Sequence, residues 1–438
     1  MTRARQSTGD NWCPSLPADW NYLPLRRLGQ VVGGGTPPAD DANWGGEIPF
    51  ITPPDLRPVV GAEVVTTDRS VTLGAAQANS SLVPSGTVLM SVRAPIGYVA
   101  RTVTTVAFNQ GCRALVPSAR MDPGYLTYAL VAATPEFVAQ GRGTTFMEVS
   151  GAQFAAVRCP VPPISEQREI AAYLDRETAK VDNLIAEQQG LVDVLRERRA
   201  AVIERAVFRG LSDAPRSDRD IAWLPPVPTP WKVLQLGHVT NTLAGWAFPS
   251  DGFSTDASHV RLLRGINIKP GRVDWTDVVR WDPDFSGASA EFLLATDDIL
   301  LGMDRPFVSG GVRIAFVGEH DLPAYLLQRV LRIRPTDAAD RAYLRYLFQT
   351  HAFFDYLNPL FTGVSIPHVS EWQVRKFLMP CPPVDEQREI ADYLNEQVER
   401  IDALIEEATG IVAVAKERRS ALIKAAVTGQ IDVRGEVA

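Results

Sequence analysis

Among residues whose types and spacing could do chemistry, the chain offers groups that recognise rather than groups that react. No Gly-rich phosphate loop with a following Lys, no Gly-x-Ser-x-Gly elbow and no His-Glu-x-x-His pair occurs in its 438 residues. All five histidines, His238, His259, His320, His351 and His368, fall in the second half without metal-ligand spacing. Asn358-Pro359-Leu360-Phe361 reads as a turn. The four cysteines, Cys13, Cys112, Cys159 and Cys381, are scattered, and reduced buried thiols are expected of them. Positive charge in residues 1–162 is carried by arginine alone, although the whole chain has only six lysines, so arginine-biased codon usage accounts for that equally well. The planar guanidinium fork suits bidentate contacts to guanine edges and phosphates. A net charge of −7 argues against a simple basic nucleic-acid coat.

The elements that must position such groups are set by a duplication. PISEQREIAAYLDRETAKVDNLIAEQQGLVDVLRERRAAVIERAVF, Pro163–Phe208, returns 220 residues later as PVDEQREIADYLNEQVERIDALIEEATGIVAVAKERRSALIKAAVT, Pro383–Thr428, with 23 of 46 positions identical. Ser165 and Asp385 are expected N-caps, with Glu166 and Glu386 in the first turn. A seven-residue seam runs Ile170, Leu174, Val181, Leu184, Leu191, Leu195, Val202 and, in the second copy, Ile390, Leu394, Ile401, Leu404, Ile411, Ala415, Leu422. The other reading folds each helix along its own head, but about 44 residues at ~1.5 Å each make a rod of ~65 Å, longer than a small domain. Connectivity then makes the pairing antiparallel. Gly190 and Gly410, at matching places, mark a close-approaching partner or a local bend.

Each long helix follows a Gly/Pro/Val-rich head, and the two heads match each other weakly. Both open on a Trp and a Leu-Gly-x-Val step, Trp20 with Leu28–Val31 and Trp231 with Leu236–Val239. Both carry an apolar strand running into Arg-x-Pro or Arg-Pro, a Tyr-Leu-x-Tyr helix at Tyr125–Tyr128 and Tyr343–Tyr346, and a closing Val-Ser. The expected fold is α+β: two mixed α/β heads with a twisted, mostly antiparallel sheet each, separated by an antiparallel coiled coil, with a pseudo-twofold duplication. The expected segments are 17–162 and 228–382 for the heads, 163–210 and 383–430 for the helices and 211–227 for a linker, with residues 1–16 and the last six frayed. No apolar run reaches the roughly 20 residues that cross a bilayer. The N-terminus lacks the apolar core of a signal peptide, so a cytoplasmic location without membrane association is expected.

In combination, GGGTPPADDANWGGEIPFITPPDL (Gly33–Leu56), VRAPIGYVA (Val92–Ala100), AFNQGCRAL (Ala107–Leu115) and the two PP-x-x-EQREIA launches (Pro162–Ala171, Pro382–Ala391) resemble the DNA-specificity subunit of a type I restriction–modification system, over essentially the whole chain. The resemblance implies a subunit without catalysis of its own. Each head would be a target-recognition domain reading one half of a split sequence in double-stranded DNA, with the helices setting the gap. Two methyltransferase subunits would dock on it, and restriction/translocase subunits would join. S-adenosylmethionine and ATP with Mg would belong to those partners, and no metal or cofactor to this chain. Candidate DNA-reading residues are Thr36, Arg93, Asn109, Gln110, Arg113, Arg142 and Thr144 in head one. In head two they are Arg305, Ser309, Gln328, Arg329, Thr362, Ser365 and His368. Arginine favours guanine, and Asn and Gln favour adenine. Head two departs from the pattern: it has Ala244-Gly245-Trp246-Ala247-Phe248 where head one has its glycine loop, and YLLQRVLRI (Tyr325–Ile333) for AFNQGCRAL. The competing readings are a subunit of a related bipartite system with methylation and cleavage fused in one partner, and a scaffold that does not bind DNA.

Overall fold

The computed structural model describes residues 3–64, 66–141, 147–282, 285, 289–305, 307–308, 311–360 and 368–434. The chain divides into two units, Met1–Gln189 with Thr409–Ala438, and Gly190–Ala408.

In the first unit a five-stranded sheet has the order Gly29–Gly33, Cys112–Pro117, Val88–Ser91, Val99–Thr102, Glu63–Val64. Alternation along these strands sends Val88, Met90, Val99 and Leu115 to one face and Leu89, Ala100 and Ala114 to the other. The first set packs on the helix Pro123–Ala132 and on Phe137 and Phe154. The second set meets Ile51 and Phe108 of a four-stranded sheet, ordered Arg69–Val71, Trp44–Ile51, Val106–Phe108, Ser81–Val83. The second unit repeats the plan with four strands in each sheet. Thr240–Ala244, Val330–Pro335, Ile299–Gly302, Ile314–Phe316 form the first, and Phe253–Ser254, Val279–Trp281, Val260–Leu263, Ala324–Leu326 the second. Each head therefore holds two larger sheets, with two-stranded ones beside them, where one sheet was expected, and each includes parallel pairing besides the antiparallel.

Two segments expected to be loose are ordered. Arg5–Ser7 pairs with Ser15–Pro17, and Trp12, Cys13 and Leu16 are buried in the first core. Arg216–Ser217 pairs with Val227–Pro228, with Leu224 and Val227 buried in the second. These are two copies of one hairpin, WCPSLPADW (Trp12–Trp20) and WLPPVPTPW (Trp223–Trp231).

The long helices span Ile164–Arg209 and Val384–Val427. They begin one residue before the expected caps, because the Pro163 and Pro383 carbonyls already accept from Gln167 and Gln387 N–H, at 3.0 and 2.9 Å. Ser165 and Asp385 thus sit in the first turn.

The EQ pair at each launch is a clamp. Trp20 Nε1 donates to Glu166 at 3.1 Å, and Trp231 Nε1 to Glu386 at 3.0 Å. Gln167 accepts from Asp122 N–H and donates to the Arg120 and Pro162 carbonyls. Gln387 does the same with Asp340, Ala338 and Pro382.

In each unit the start of one long helix lies antiparallel to the end of the other. In the first, buried Tyr125 donates to the carbonyls of Pro160 and Val427, and Arg419 pairs with Asp182 at 2.8 Å. In the second, Tyr343 donates to Pro380 and Val207, and Arg199 pairs with Asp402 at 2.7 Å. Ile423, Ala426 and Val427 join the first core, and Ile203, Ala206, Val207 and Phe208 the second. Neither helix lies only along its own head.

The seam needs correction at four positions. Leu184, Leu191, Leu404 and Ile411 are exposed, whereas Val192 and Val412 are buried and Ile185 and Ile405 half-buried. The inward stripe alternates steps of three and four, Ala171, Leu174, Thr178, Val181, Ile185, Gln188, Val192, Leu195, which admits Thr178 and Gln188 and turns the neighbouring leucines outward. The other seam residues are buried or half-buried.

A Cβ at Gly190 or Gly410 would meet open space, so no contact among the described residues requires glycine there. Gly190→Ala and Gly410→Ala should each stabilise the helix by about 1 kcal/mol. A higher melting temperature of the isolated chain checks this; a lower one would show that glycine is needed.

All four cysteines are free, three of them buried. Burial pushes the Cys13 thiol up to about 11 and Cys112 up to about 12. Unfolded thiols titrate near ~8.5, so this contribution to stability is complete below that pH and is lost as pH rises through the folded values. Buried Tyr125 and Tyr343, also raised by burial, act with the same sign at higher pH. Denaturant midpoints should fall steadily above pH ~9, and Cys381, half-buried, should react first with a thiol reagent.

Candidate DNA-recognition surfaces

In the first unit three adjacent strands place their loops at one end of the five-stranded sheet. Gly29–Gly33 runs out into Thr36, Val88–Ser91 runs out into Arg93, and Cys112–Pro117 is entered through Asn109 and Gln110. Gly34 lies so close to the Asn109 carbonyl that a Cβ would come within 2.1 Å of it, which explains the glycine loop. That approach brings Thr36 Oγ1 to Gln110 Oε1 at 2.5 Å. Asn109 Oδ1 accepts from Gly111 N–H at 2.9 Å, so one side of its amide shapes the turn. Arg113, opposite Gly33 in register, reaches only the Cys112 carbonyl at 3.4 Å and has no carboxylate partner among the described residues. Arg93, exposed, pairs with half-buried Glu148 at 3.1 Å.

The same end of the second unit's first sheet carries Gln328 and Arg329 before Val330–Pro335, and Asp304 and Arg305 after Ile299–Gly302. Arg305 and Arg329 have φ of 42° and 67°, a region rare for a large side chain. Both are exposed, as is Gln328, whose amide finds no partner among the described residues. Asp304 organises the cluster: His368 Nδ1 lies 2.8 Å from its carboxylate and Arg329 Nη1 3.6 Å. Arg329 Nη1 is also 3.4 Å from His368 Nδ1. The shorter contact assigns the Nδ1 proton to the Asp304 bond. Half-buried Arg313 donates to the Asp304 carbonyl at 3.0 Å and to the Ile268 carbonyl at 3.2 Å, fixing the turn; burial lowers its pKa from the usual arginine value.

The structure thus gathers Thr36, Asn109, Gln110 and Arg113 at one strand end and Arg305, Gln328, Arg329 and His368 at the equivalent one, with Arg93 beside Glu148. Arg142, Thr144, Ser309, Thr362 and Ser365 lie outside the described residues. Sequence reasoning missed Glu148, Asp304 and Arg313, which hold the arginines and turns; only the acid inside Leu301-Gly302-Met303-Asp304-Arg305-Pro306 hinted at this. The arrangement presents forks, amides and hydroxyls, the groups that read base edges and phosphates. Among the described residues no group of three His, Cys, Asp or Glu could hold a metal, and no helix is long and apolar enough to cross a membrane.

The family model of the type I restriction modification DNA specificity domain matches residues 17–190 and again 228–409. The MjaVIII type I restriction enzyme specificity subunit of Methanocaldococcus jannaschii is 26% identical over 315 residues, 72% of this chain and 71% of that one. The EcoDI specificity subunit of Escherichia coli is 20% identical over 439 residues, 95% of this chain and 89% of that one. A solved chain of a type I R-M system, described with its complex assembly and conformational transition, has a TM-score of 0.71 at 17% identity, over 95% of this chain and 99% of that one, and so shares the fold. Two family matches that together span most of the sequence, one on each head and the helix that follows it, settle the class: the chain belongs to the type I restriction–modification DNA specificity subunits, the non-catalytic components of those systems, which work with DNA and with modification and restriction subunits.

Proposed function

We propose that each head reads one half of a split, asymmetric DNA sequence and that the paired helices set the gap between the halves. The observation that carries this reading is the equivalent strand-end cluster in two heads with different side chains. One offers Thr36, Gln110 and Arg113, the other Gln328, Arg329 and His368. Equivalent placement fits one task done twice, and unlike groups fit unlike half-sites. A fixed gap matters because half-sites on B-DNA change face within a turn of ~34 Å. In this reading residues 17–162 and 228–382 are the recognition domains, 163–210 and 383–430 the spacer helices and 211–227 the linker between them.

Docking of two methyltransferase subunits, which would supply S-adenosylmethionine chemistry, is supported by a second repeat. Leu184, Leu191 and Val194 on one helix and Leu404, Ile411 and Val414 on the other are exposed at matching positions. Duplicated apolar faces suit two copies of one partner. The test is methylation of a randomised duplex library by the chain with a type I methyltransferase subunit. Selection of a two-part motif is expected. Methylation without sequence choice would favour a scaffold.

A further inference from the structure

The segment that follows each strand-end cluster folds the same way in both heads. Glu148 and His368 make matching backbone bridges, to Arg93 and Asp304. One residue on, Val149 N–H donates to Val92 O and Val369 N–H to Met303 O, each at 2.9 Å. Ser150 and Ser370 then cap the short helices Gly151–Ala156 and Glu371–Arg375, each in a capping box with the glutamine three residues on. In the first head this helix starts beside a reading candidate, since a Cβ on Gly151 would lie 3.6 Å from Arg113 Nε. In the second, Glu371 bonds the Thr242 hydroxyl, and Arg375 donates to the same hydroxyl at 3.0 Å and to the Gly237 carbonyl at 3.3 Å. These bonds tie the helix to the edge strand Thr240–Ala244. That strand leads to Trp246, whose carbonyl accepts from Gln328 N–H at 2.8 Å, so the helix flanks the recognition end.

The same bonds leave one face of the segment outward, and there the two heads part. Its two exposed positions hold Ala152 and Ala156 in the first head, and Trp372 and Lys376 in the second. Trp372 keeps 63% of its surface in water, and Lys376 Nζ lies 3.9 Å from its ring centroid. An indole this open adds little to the core, while aromatic rings with a cation on one face suit binding surfaces. Among the described residues Lys376 forms no ion pair, and the acid on its own helix, Glu371, is turned to Thr242.

We infer that Trp372 and Lys376 form a second DNA contact of this head, on the sugar–phosphate backbone beside the bases that Arg329 reads. The ammonium takes a phosphate, and the indole packs on the adjoining deoxyribose. Three observations favour DNA over a protein partner. The face is cationic. It continues the surface of His368, four residues earlier in the chain. The equivalent helix touches Arg113 in the first head. Backbone contacts hold a protein in place on the duplex without reading sequence. The first head, with alanine at both positions, makes no such contact. The inference rests on the reading of the second head as a DNA-binding domain and adds a grip that is blind to sequence.

The test uses the chain assembled with its modification subunits and measures equilibrium binding to a cognate and a random duplex over a range of salt. Trp372→Ala, which installs the first head's residue, should weaken binding to both about five- to tenfold. Lys376→Ala should weaken both and lower the slope of log affinity against log salt by about one. The methylated motif should stay the same in both variants. Both side chains are exposed, so melting and assembly should not change. Unchanged affinity of the variants, with the unmodified complex still selective, overturns this inference alone. An unmodified complex that binds neither duplex overturns the underlying reading and this inference with it. Loss of a modification subunit from the Trp372→Ala complex would assign the face to a protein partner and overturn it as well.

Discussion

Gln387→Ala is expected to destabilise the second unit by about 3 kcal/mol or more, because three buried backbone groups lose their partner at ~1–3 kcal/mol each. Gln387 is fully buried. Its carbonyl takes Asp340 N–H at 2.8 Å, and its amide donates to the Ala338 and Pro382 carbonyls at 3.3 and 2.9 Å. The damage should be local. Asp340 caps the helix Arg341–Leu347, whose Tyr343 and Leu344 are core residues, so hydrogen exchange should rise across that helix and the start of Val384–Val427. Gln167→Ala should do the same to the first unit through Asp122 and the helix Pro123–Ala132. Denaturation of a chain with two units is not one two-state transition, so site-resolved exchange is the measurement to use. Protection unchanged in both variants would show that the EQ launch serves something other than this clamp.

Arg113→Ala and Arg329→Ala should each weaken binding of the assembled complex to its DNA by about ten- to a hundredfold, the ~1–3 kcal/mol of a bidentate base contact, and each should relax sequence choice in one half-site only. Arg329 carries the stronger structural argument. Its backbone is held at φ 67°, and Asp304 and His368 flank the guanidinium. Asp304→Ala should then act through Arg329, weakening the same half-site by less, because the guanidinium keeps its charge and loses only its orientation. A phosphate-binding arginine would behave differently. Its loss would weaken all sequences alike and flatten the salt dependence by about one counterion. Equal losses on cognate and random duplex would reassign either arginine to the DNA backbone.

Much of this was legible in the sequence for a physical reason: duplication repeats itself in residues that must pack the same way. Gln167 and Gln387, Glu166 and Glu386, and Tyr125 and Tyr343 recur because each pair makes the same bonds. The hairpins were not legible, because their short strands show no period; the repeat of Trp12-x-Pro14 as Trp223-x-Pro225 was the available signal. The heptad seam and the packed stripe part company at the leucines, because side-chain type alone does not mark burial. Packing follows the turn of the helix, so Thr178 goes inward and Leu184 outward. The strand-end clusters could be guessed as residues but not as groups, since nothing local in Asp304 announces contact with His368, 64 residues on.

Two heads that read separate half-sites leave a distinctive pattern of modified bases. Base-resolution mapping of methylation, in cells carrying this chain with its modification subunits, tests that most directly. One two-part motif with a constant gap is expected, blurred in one part by Arg113→Ala and in the other by Arg329→Ala. An uninterrupted motif, or one in which either substitution blurs both parts together, would contradict it.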